Sequence, residues 1–235
     1  MVQNNDIRKA LEELARGNDE YAAFNRRVVN TKKNVLGVRI PDLRKLAKGL
    51  AKDSIKTDLV TYMNEHDRNE YEQVMLAGLM INAVRLSDAE RLELTTQYLQ
   101  LADSWAEIDI FAIKRKKFDE TLQWDYACRC LKSSDEFVVR YGIIEMMANF
   151  LTDDYIDKVF AKLRAITHEG YYVRIAAAWL YATAAVKYHE KTLDEIRTMP
   201  LLTWIKRKAL TKIVESRQFS PSQKDTVRAL RAALR

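Results

Sequence analysis

The sequence predicts an all-α fold, an α-solenoid of about six helical pairs, and three observations support it. Gly and Pro number only six and three in 235 residues, whereas average usage would give roughly 28 of the two together. Apolar residues recur at helical spacing between helix-start signals. The predicted helices come in pairs that repeat at a nearly constant interval. We expect a single domain, residues 1–235, because no linker rich in Pro, Gly or Ser interrupts the chain.

Capping signals place several of the helix starts. Ser87 to Glu90 and Ser133 to Glu136 each have the form of a capping box, with a hydroxyl at the N-cap and Glu three residues later. Ser220 to Gln223 adds Pro at the first helical position. The apolar residues from Tyr155 to Ile166 follow the i, i+3, i+4, i+7 pattern of a helix. No segment alternates strictly between turn residues, so no strand is predicted.

The order of the predicted helices gives the repeat. Three early helices are expected at Asp6–Arg16, Asp19–Val28 and Asp42–Lys52. Later starts fall near Asn69, Ser87, Trp105, Glu120, Asp135, Asp153, Gly170, Lys191, Leu202 and Ser222. The first members of successive pairs begin near residues 69, 105, 135, 170 and 202, at intervals of 30 to 36 residues. Two helices in such an interval are typical of a solenoid, which offers a concave face.

Composition excludes several classes of protein. Hydrophobic residues make up 48% and charged residues 31% of the chain, as in a globular protein. The longest uncharged run, residues 175–186, is too short to span a membrane. Cys128 and Cys130 lie two apart in a helical pattern and point apart, so neither a disulfide nor a shared metal is expected. We expect a cytoplasmic protein without metal or cofactor, because no secretory signal and no zinc-ligand spacing occur.

The net charge of +6 favours an anionic partner. Basic clusters occur at Arg26-Arg27, Lys32-Lys33, Arg44-Lys45, Lys114 to Lys117 and Lys206 to Lys208. One such cluster is usually a solvated helix face. Five on a curved solenoid make a basic concave groove for a nucleic-acid backbone the stronger prediction.

Three residues break the local pattern. Asp109 lies one turn after Trp105 on an apolar stripe, where it either pairs with an Arg of the next repeat or acts electrostatically in a dry cleft. Arg140 either pairs with Glu136 or lines the site, since it lies one repeat after Asp109. Trp179 follows three alanines, and is either a core side chain or an aromatic face for a sugar or a cationic base.

These residues resemble the AlkD-like bacterial DNA alkylation repair glycosylases, which are built of HEAT-like repeats. The similarity begins in the segment Leu36 to Arg44 and continues through Tyr71-Glu72-Gln73 and Ser104 to Asp109. It ends with Glu136 to Arg140 and with Gly170 to Arg174 running on to Trp179. Each motif is short, but their order and spacing together are specific, over roughly residues 20 to 215.

The resemblance implies an activity and a set of site residues. It implies excision of cationic N3- and N7-alkylated purines from double-stranded DNA without a cofactor, and catalytic roles for Trp105, Asp109, Arg140 and Trp179. For DNA binding we expect Arg39, Lys114, Arg174, Lys206 and Arg207. We expect a monomer with no membrane association. The competing hypothesis is a non-catalytic HEAT-like scaffold that binds branched DNA or a protein.

Overall fold

The computed structural model describes residues 4–54, 56–112 and 118–234. All regular secondary structure in these ranges is helical, and an isolated bridge between Asn34 and Glu70 is their single β feature. The all-α prediction is therefore confirmed. The chain forms two compact units, Met1–Phe111 and Ala112–Arg235. The single-domain assignment, the concave basic face and the count of six pairs stay predictions.

The first unit contains seven helices in its described part. They are α1 (Asn4–Ala15), α2 (Asp19–Val29), α3 (Ile40–Asp53), α4 (Lys56–Glu65), α5 (Tyr71–Ala83), α6 (Asp88–Leu99) and α7 (Trp105–Phe111). Helix α5 is buried at every position from Tyr71 to Ile81 and packs against α3, α4, α6 and α7. A helix that is buried all round belongs at the centre of a core. Helix α5 therefore supports α7, which carries two of the expected site residues.

The second unit contains seven further helices in its described part. They are α8 (Glu120–Cys130), α9 (Glu136–Asn149), α10 (Ile156–Arg164), α11 (Tyr171–Lys187), α12 (His189–Thr198), α13 (Thr203–Glu215) and α14 (Pro221–Ala233). Helix α11 packs against both α9 and α13. Within this unit, the first helices of successive pairs are thus neighbours, as the repeat interval predicts.

Two of the three expected capping boxes are present. Ser87 and Glu90 cap α6 reciprocally, and Ser220 and Gln223 do the same for α14. The box predicted at Ser133 is wrong. Asp135 is the N-cap of α9, and its carboxylate accepts the N–H groups of Phe137 and Val138. Asp is a strong N-cap residue and lies directly before the helix.

Helix α4 (Lys56–Glu65) was missed by the sequence analysis. Its buried side chains are Leu59, Tyr62 and Met63, which cover little more than one turn. Such a short stripe gives a weak periodic signal, and packing on α5 stabilises the helix instead. Cys128 and Cys130 are both free, as predicted. Within the described residues, no helix has the length and apolar character needed to cross a bilayer.

Candidate active site

Helix α7 places Trp105 and Asp109 one turn apart on the same side of the helix. Both side chains are half-buried. The indole Nε1 of Trp105 donates a hydrogen bond to the carbonyl oxygen of Val28 at 3.0 Å. This bond fixes the indole against the end of α2. The spacing of these two residues was predictable from sequence, whereas the anchor on Val28 was not, because it spans 77 positions.

A buried glutamate holds the start of α7. One carboxylate oxygen of Glu107 accepts the N–H groups of Asp103 and Ser104, each at 2.9 Å. The hydroxyl of Ser104 accepts the N–H of Glu107 at 3.4 Å. This is a capping box that the sequence analysis missed, although Ser104 and Glu107 have the required spacing. It orients the turn from which Trp105 projects.

Lys33 completes this network from the loop after α2. Its Nζ lies 2.7 Å from Asp103 Oδ1 and 3.1 Å from Glu107 Oε1. The side chains of Lys33 and Glu107 are 7% and 0% exposed. Lys33 was expected to belong to a basic cluster facing a nucleic acid, and that interpretation is wrong for this residue. Its charge compensates two carboxylates inside the unit, because buried charges require partners.

The pKa values of Glu107 and Asp103 are shifted in opposite directions. Burial raises the pKa of Glu107 to about 7, although the charge of Lys33 opposes the shift. Burial also opposes ionisation of Asp103, but hydrogen bonds from Lys33, Thr31 and Lys32 outweigh it and lower the pKa of Asp103. Glu107 therefore titrates close to neutral pH, immediately beside Trp105.

The loop that precedes α3 is held by Glu72. The carboxylate of Glu72, buried in α5, accepts the N–H groups of Leu36, Gly37 and Val38 at 2.9, 2.8 and 3.2 Å. Burial raises the pKa of Glu72, and these three bonds act against the shift. The loop ends at Arg39, an expected DNA contact, which is exposed.

Arg39 stands at the N-cap position of α3. Its guanidinium carbon lies 4.6 Å from the centre of the Tyr21 ring. This contact orients the guanidinium while leaving it open to solvent. Arg44, one turn into α3, donates from Nη2 to the carbonyl oxygen of Ile110 at 3.4 Å. It thereby ties α3 to α7 beside Asp109.

In the second unit, Arg140 is 4% exposed. Its Nη1 donates to the carbonyl oxygen of Tyr172 at 2.9 Å, while Glu136 accepts the N–H of the same residue at 2.5 Å. Two side chains of α9 therefore bind both polar groups of one residue in the first turn of α11. The resemblance implies a catalytic role for Arg140, which stays a prediction, and part of the bonding capacity of this side chain is used inside the fold.

Trp179 lies on the exposed side of α11, with 37% of the residue accessible. The interpretation as a core side chain is wrong. Trp179 lines a cleft of about 310 Å³ between α11 and α13, together with Lys212, Glu215, Ser216 and Gln218. Lys212 was not singled out from the sequence. No local motif marks it, since it approaches Trp179 only through helix packing.

The remaining expected DNA contacts differ in setting. Arg174 is half-buried and lines a larger cleft of about 630 Å³, and its Nη2 lies 3.7 Å from the exposed Glu169. Lys206 is half-buried. Arg207 is exposed and donates to the carbonyl oxygen of Leu234 at 2.5 Å. Lys114 lies outside the described residues.

In the ranges that the structure describes, no group of three or more His, Cys, Asp or Glu side chains converges to form a set of metal ligands. The chemistry-bearing groups are a carboxylate and an indole on α7 and, in the second unit, an indole in a cleft that Lys212 and Glu215 also line. These groups are presented by an all-helical fold.

Comparison with known families agrees with this description. The model of the DNA alkylation repair enzyme family matches residues 7–213, and the chain belongs to that family. All nine expected site residues lie inside the matched range. No curated protein matches the chain individually.

Proposed function

We propose that the chain is a DNA glycosylase that excises cationic N3- and N7-alkylated purines from duplex DNA in base excision repair. The observation that carries this proposal is the pair on α7, a half-buried carboxylate one turn from an indole that is hydrogen-bonded in place. Membership of the DNA alkylation repair enzyme family supports the same substrate class.

One carboxylate suffices for this reaction. Ordinary glycoside hydrolysis uses a second carboxylic acid to protonate the leaving group. An N3- or N7-alkylated purine already carries a positive charge. When the C1′–N9 bond breaks, its electron pair neutralises the purine, which leaves without a proton. Water then adds at C1′ and releases one proton.

Asp109, the two indoles and Arg140 have separate proposed roles in this reaction. Asp109 stabilises the oxocarbenium-like sugar and positions the water. The indole faces of Trp105 and Trp179 add cation–π stabilisation of roughly 0.5–2 kcal/mol each. Arg140 is proposed to contact a phosphate and fix the register of the duplex.

Arg39, Arg174, Lys206, Arg207 and Lys114 are the proposed backbone contacts. These roles need no cofactor, and we propose that the protein acts as a monomer in the cytoplasm.

The direct test is base release from a duplex that carries one 7-methylguanine, with the same duplex carrying guanine as control. We expect release of 7-methylguanine and no release of guanine, because guanine is a poor leaving group without protonation. Binding of the damaged or a branched duplex without release of any N-alkylated purine would contradict the glycosylase proposal. It would support the non-catalytic scaffold instead.

A further inference from the structure

The hydrogen bond that orients Trp105 depends on the position of its acceptor. Val28 lies in the last turn of α2, where carbonyl oxygens have no partner within the helix and carry a partial negative charge. The Nε1 of Trp105 donates to this carbonyl at 3.0 Å. One hydrogen bond from a half-exposed group contributes little net free energy. It can orient the indole only if the end of α2 is already held beside α7.

Asp103 holds the end of α2 in that position. Its Oδ1 accepts the hydroxyl of Thr31 at 2.5 Å and the ammonium of Lys33 at 2.7 Å. Its Oδ2 accepts the backbone N–H of Lys32 at 3.0 Å. The Thr31 hydroxyl in turn accepts the N–H of Lys33 at 3.1 Å. Because the three donors come from consecutive residues and use both oxygens, the carboxylate fixes the course of the chain that leaves α2.

These contacts form a closed ring with the indole. The chain turns directly after α2 at Asn30, whose φ of +53° is left-handed, a conformation that Asn tolerates better than most residues. Two residues separate Val28 from Thr31, and one residue separates Asp103 from Trp105. The ring therefore runs from Val28 to Thr31, across to Asp103, on to Trp105 and back to Val28. A displacement at Asp103 must move either the carbonyl of Val28 or the indole that binds it.

The structure assigns to Asp103 the role of a positioning residue, which holds the turn after α2 against α7 so that the Val28 carbonyl sets the direction of the Trp105 indole beside Asp109. This inference rests on the proposed function, because it takes Trp105 and Asp109 to act in base release. Asp103 adds no group to the chemistry, since both of its oxygens accept bonds from the turn after α2. It acts on the reaction through Trp105.

The experiment compares the wild type with Asp103→Ala, Trp105→Phe and the double variant. Asp103→Ala removes the carboxylate that binds the turn after α2. Trp105→Phe keeps an aromatic ring and removes the N–H that binds Val28. Asp119→Ala is the matched control, because the carboxylate of Asp119 is the N-cap of α8 in the second unit and accepts the N–H of Leu122 at 2.9 Å. It lowers stability without touching the ring of contacts around Trp105.

The first measurement is NMR of protein labelled with ¹⁵N-tryptophan. The chain has four Trp residues, and Trp105→Phe identifies the indole N–H resonance of Trp105. We expect Asp103→Ala to move this resonance and to accelerate the exchange of its proton with water, because the acceptor is no longer held. Asp119→Ala should leave the resonance in place. An unchanged Trp105 resonance in Asp103→Ala would overturn the proposal, whether or not the protein releases a base.

The second measurement is single-turnover release of 7-methylguanine at saturating protein. Asp103→Ala should lower the rate by roughly 10- to 100-fold, because a small misplacement of a site residue is costly. In the Trp105→Phe background the same substitution should lower the rate little further, since the bond that it supports is already absent. Effects of Asp103→Ala and Trp105→Phe that multiply in the double variant would contradict an action through Trp105. If Asp103→Ala does not fold, Asp103→Asn keeps one acceptor oxygen and should give smaller changes in the same directions.

These results separate the role of Asp103 from the glycosylase proposal. A displaced Trp105 resonance in Asp103→Ala, with no base release by the wild type, would retain the positioning of the indole and reject the glycosylase. Base release by the wild type, with an unmoved resonance, would do the reverse. Asp119→Ala should lower the thermal unfolding temperature and leave the rate of release unchanged. An equal loss of rate in Asp119→Ala would assign the effect of Asp103→Ala to lost stability and overturn the proposal.

Discussion

The Nζ atom of Lys33 lies 3.1 Å from Oε1 of Glu107, and both side chains are shielded from solvent. This ion pair lies beneath the turn that presents Trp105. Buried pairs contribute little net stability, since desolvation of both charges offsets their attraction. Removing only one partner of such a pair is costly, because the other charge then stays buried without compensation. The pair therefore acts mainly to fix the geometry of the α7 start.

Glu107 should make stability depend on pH. Its pKa is raised from 4.5 to about 7 in the folded protein, so the folded state binds more protons than the unfolded state between these values. The contribution of Glu107 to stability is then largest below about pH 4.5 and is lost as pH rises towards 7, by at most roughly 3 kcal/mol. Glu107→Gln imitates the protonated acid and should remove this part of the slope.

The measurement is urea unfolding of both proteins from pH 5 to pH 8. We expect the free energy of unfolding to fall more steeply with pH for the wild type than for Glu107→Gln. Parallel curves would show that Glu107 titrates at its ordinary value. Glu13→Gln is a suitable control because Glu13 is exposed on α1.

Gly37 should not tolerate a side chain. Its φ is +100°, and a Cβ there would lie 2.8 Å from the Cβ of Ala22. Gly37→Ala combines a strained backbone with a steric clash and should cost roughly 2–4 kcal/mol of unfolding free energy. Gly49→Ala, inside α3 with no heavy atom within 4 Å of the added Cβ, should stabilise by about 0.5–1 kcal/mol. Urea unfolding checks both, and equal effects would contradict the strain at Gly37.

Local signals in the sequence predicted most of the helices because helix starts are encoded by neighbouring residues. The boxes at Ser87 and Ser220 lie within four residues each, and the structure has both. Helix α4 was missed because its stability comes from packing on α5 rather than from its own pattern.

The site was only partly predictable, because several of its contacts join residues that are distant in the sequence. Trp105 and Asp109 share a helical turn, so their spacing was visible in the sequence. The contacts of Lys33 with Glu107 and of Lys212 with the Trp179 cleft join distant segments. Only packing brings these groups together, and one sequence does not show which distant residues meet.

Trp179 and Trp124 should respond differently to truncation. The ring of Trp124 lies 5.1 Å from that of Phe150 and 4.9 Å from that of Tyr155, so Trp124→Ala removes aromatic packing. It should cost towards the lower end of roughly 3–5 kcal/mol. Trp179→Ala should cost about 1 kcal/mol or less, because the side chain lines an open cleft.

Thermal unfolding measures both variants, and acrylamide quenching of the remaining fluorescence shows which indole is accessible. Loss of Trp179 should remove more of the quenchable emission than loss of Trp124. A large loss of stability in Trp179→Ala would mean that the indole contributes to core packing, which would contradict its exposure in the structure.

Asp109→Asn separates chemistry from binding. The substitution keeps the shape of the side chain and removes the anion that is proposed to stabilise the cationic sugar. It should raise the barrier by roughly 2–4 kcal/mol, which lowers the rate of base release by about 10²–10³. Affinity for the duplex should hold or rise slightly, because a negative charge near the phosphates is gone.

Asp154→Asn, which removes an exposed carboxylate in the second unit, should leave both properties unchanged. The assay is single-turnover release of 7-methylguanine at saturating protein, with salt-titrated binding of the same duplex. Unchanged release by Asp109→Asn would remove this carboxylate from the mechanism.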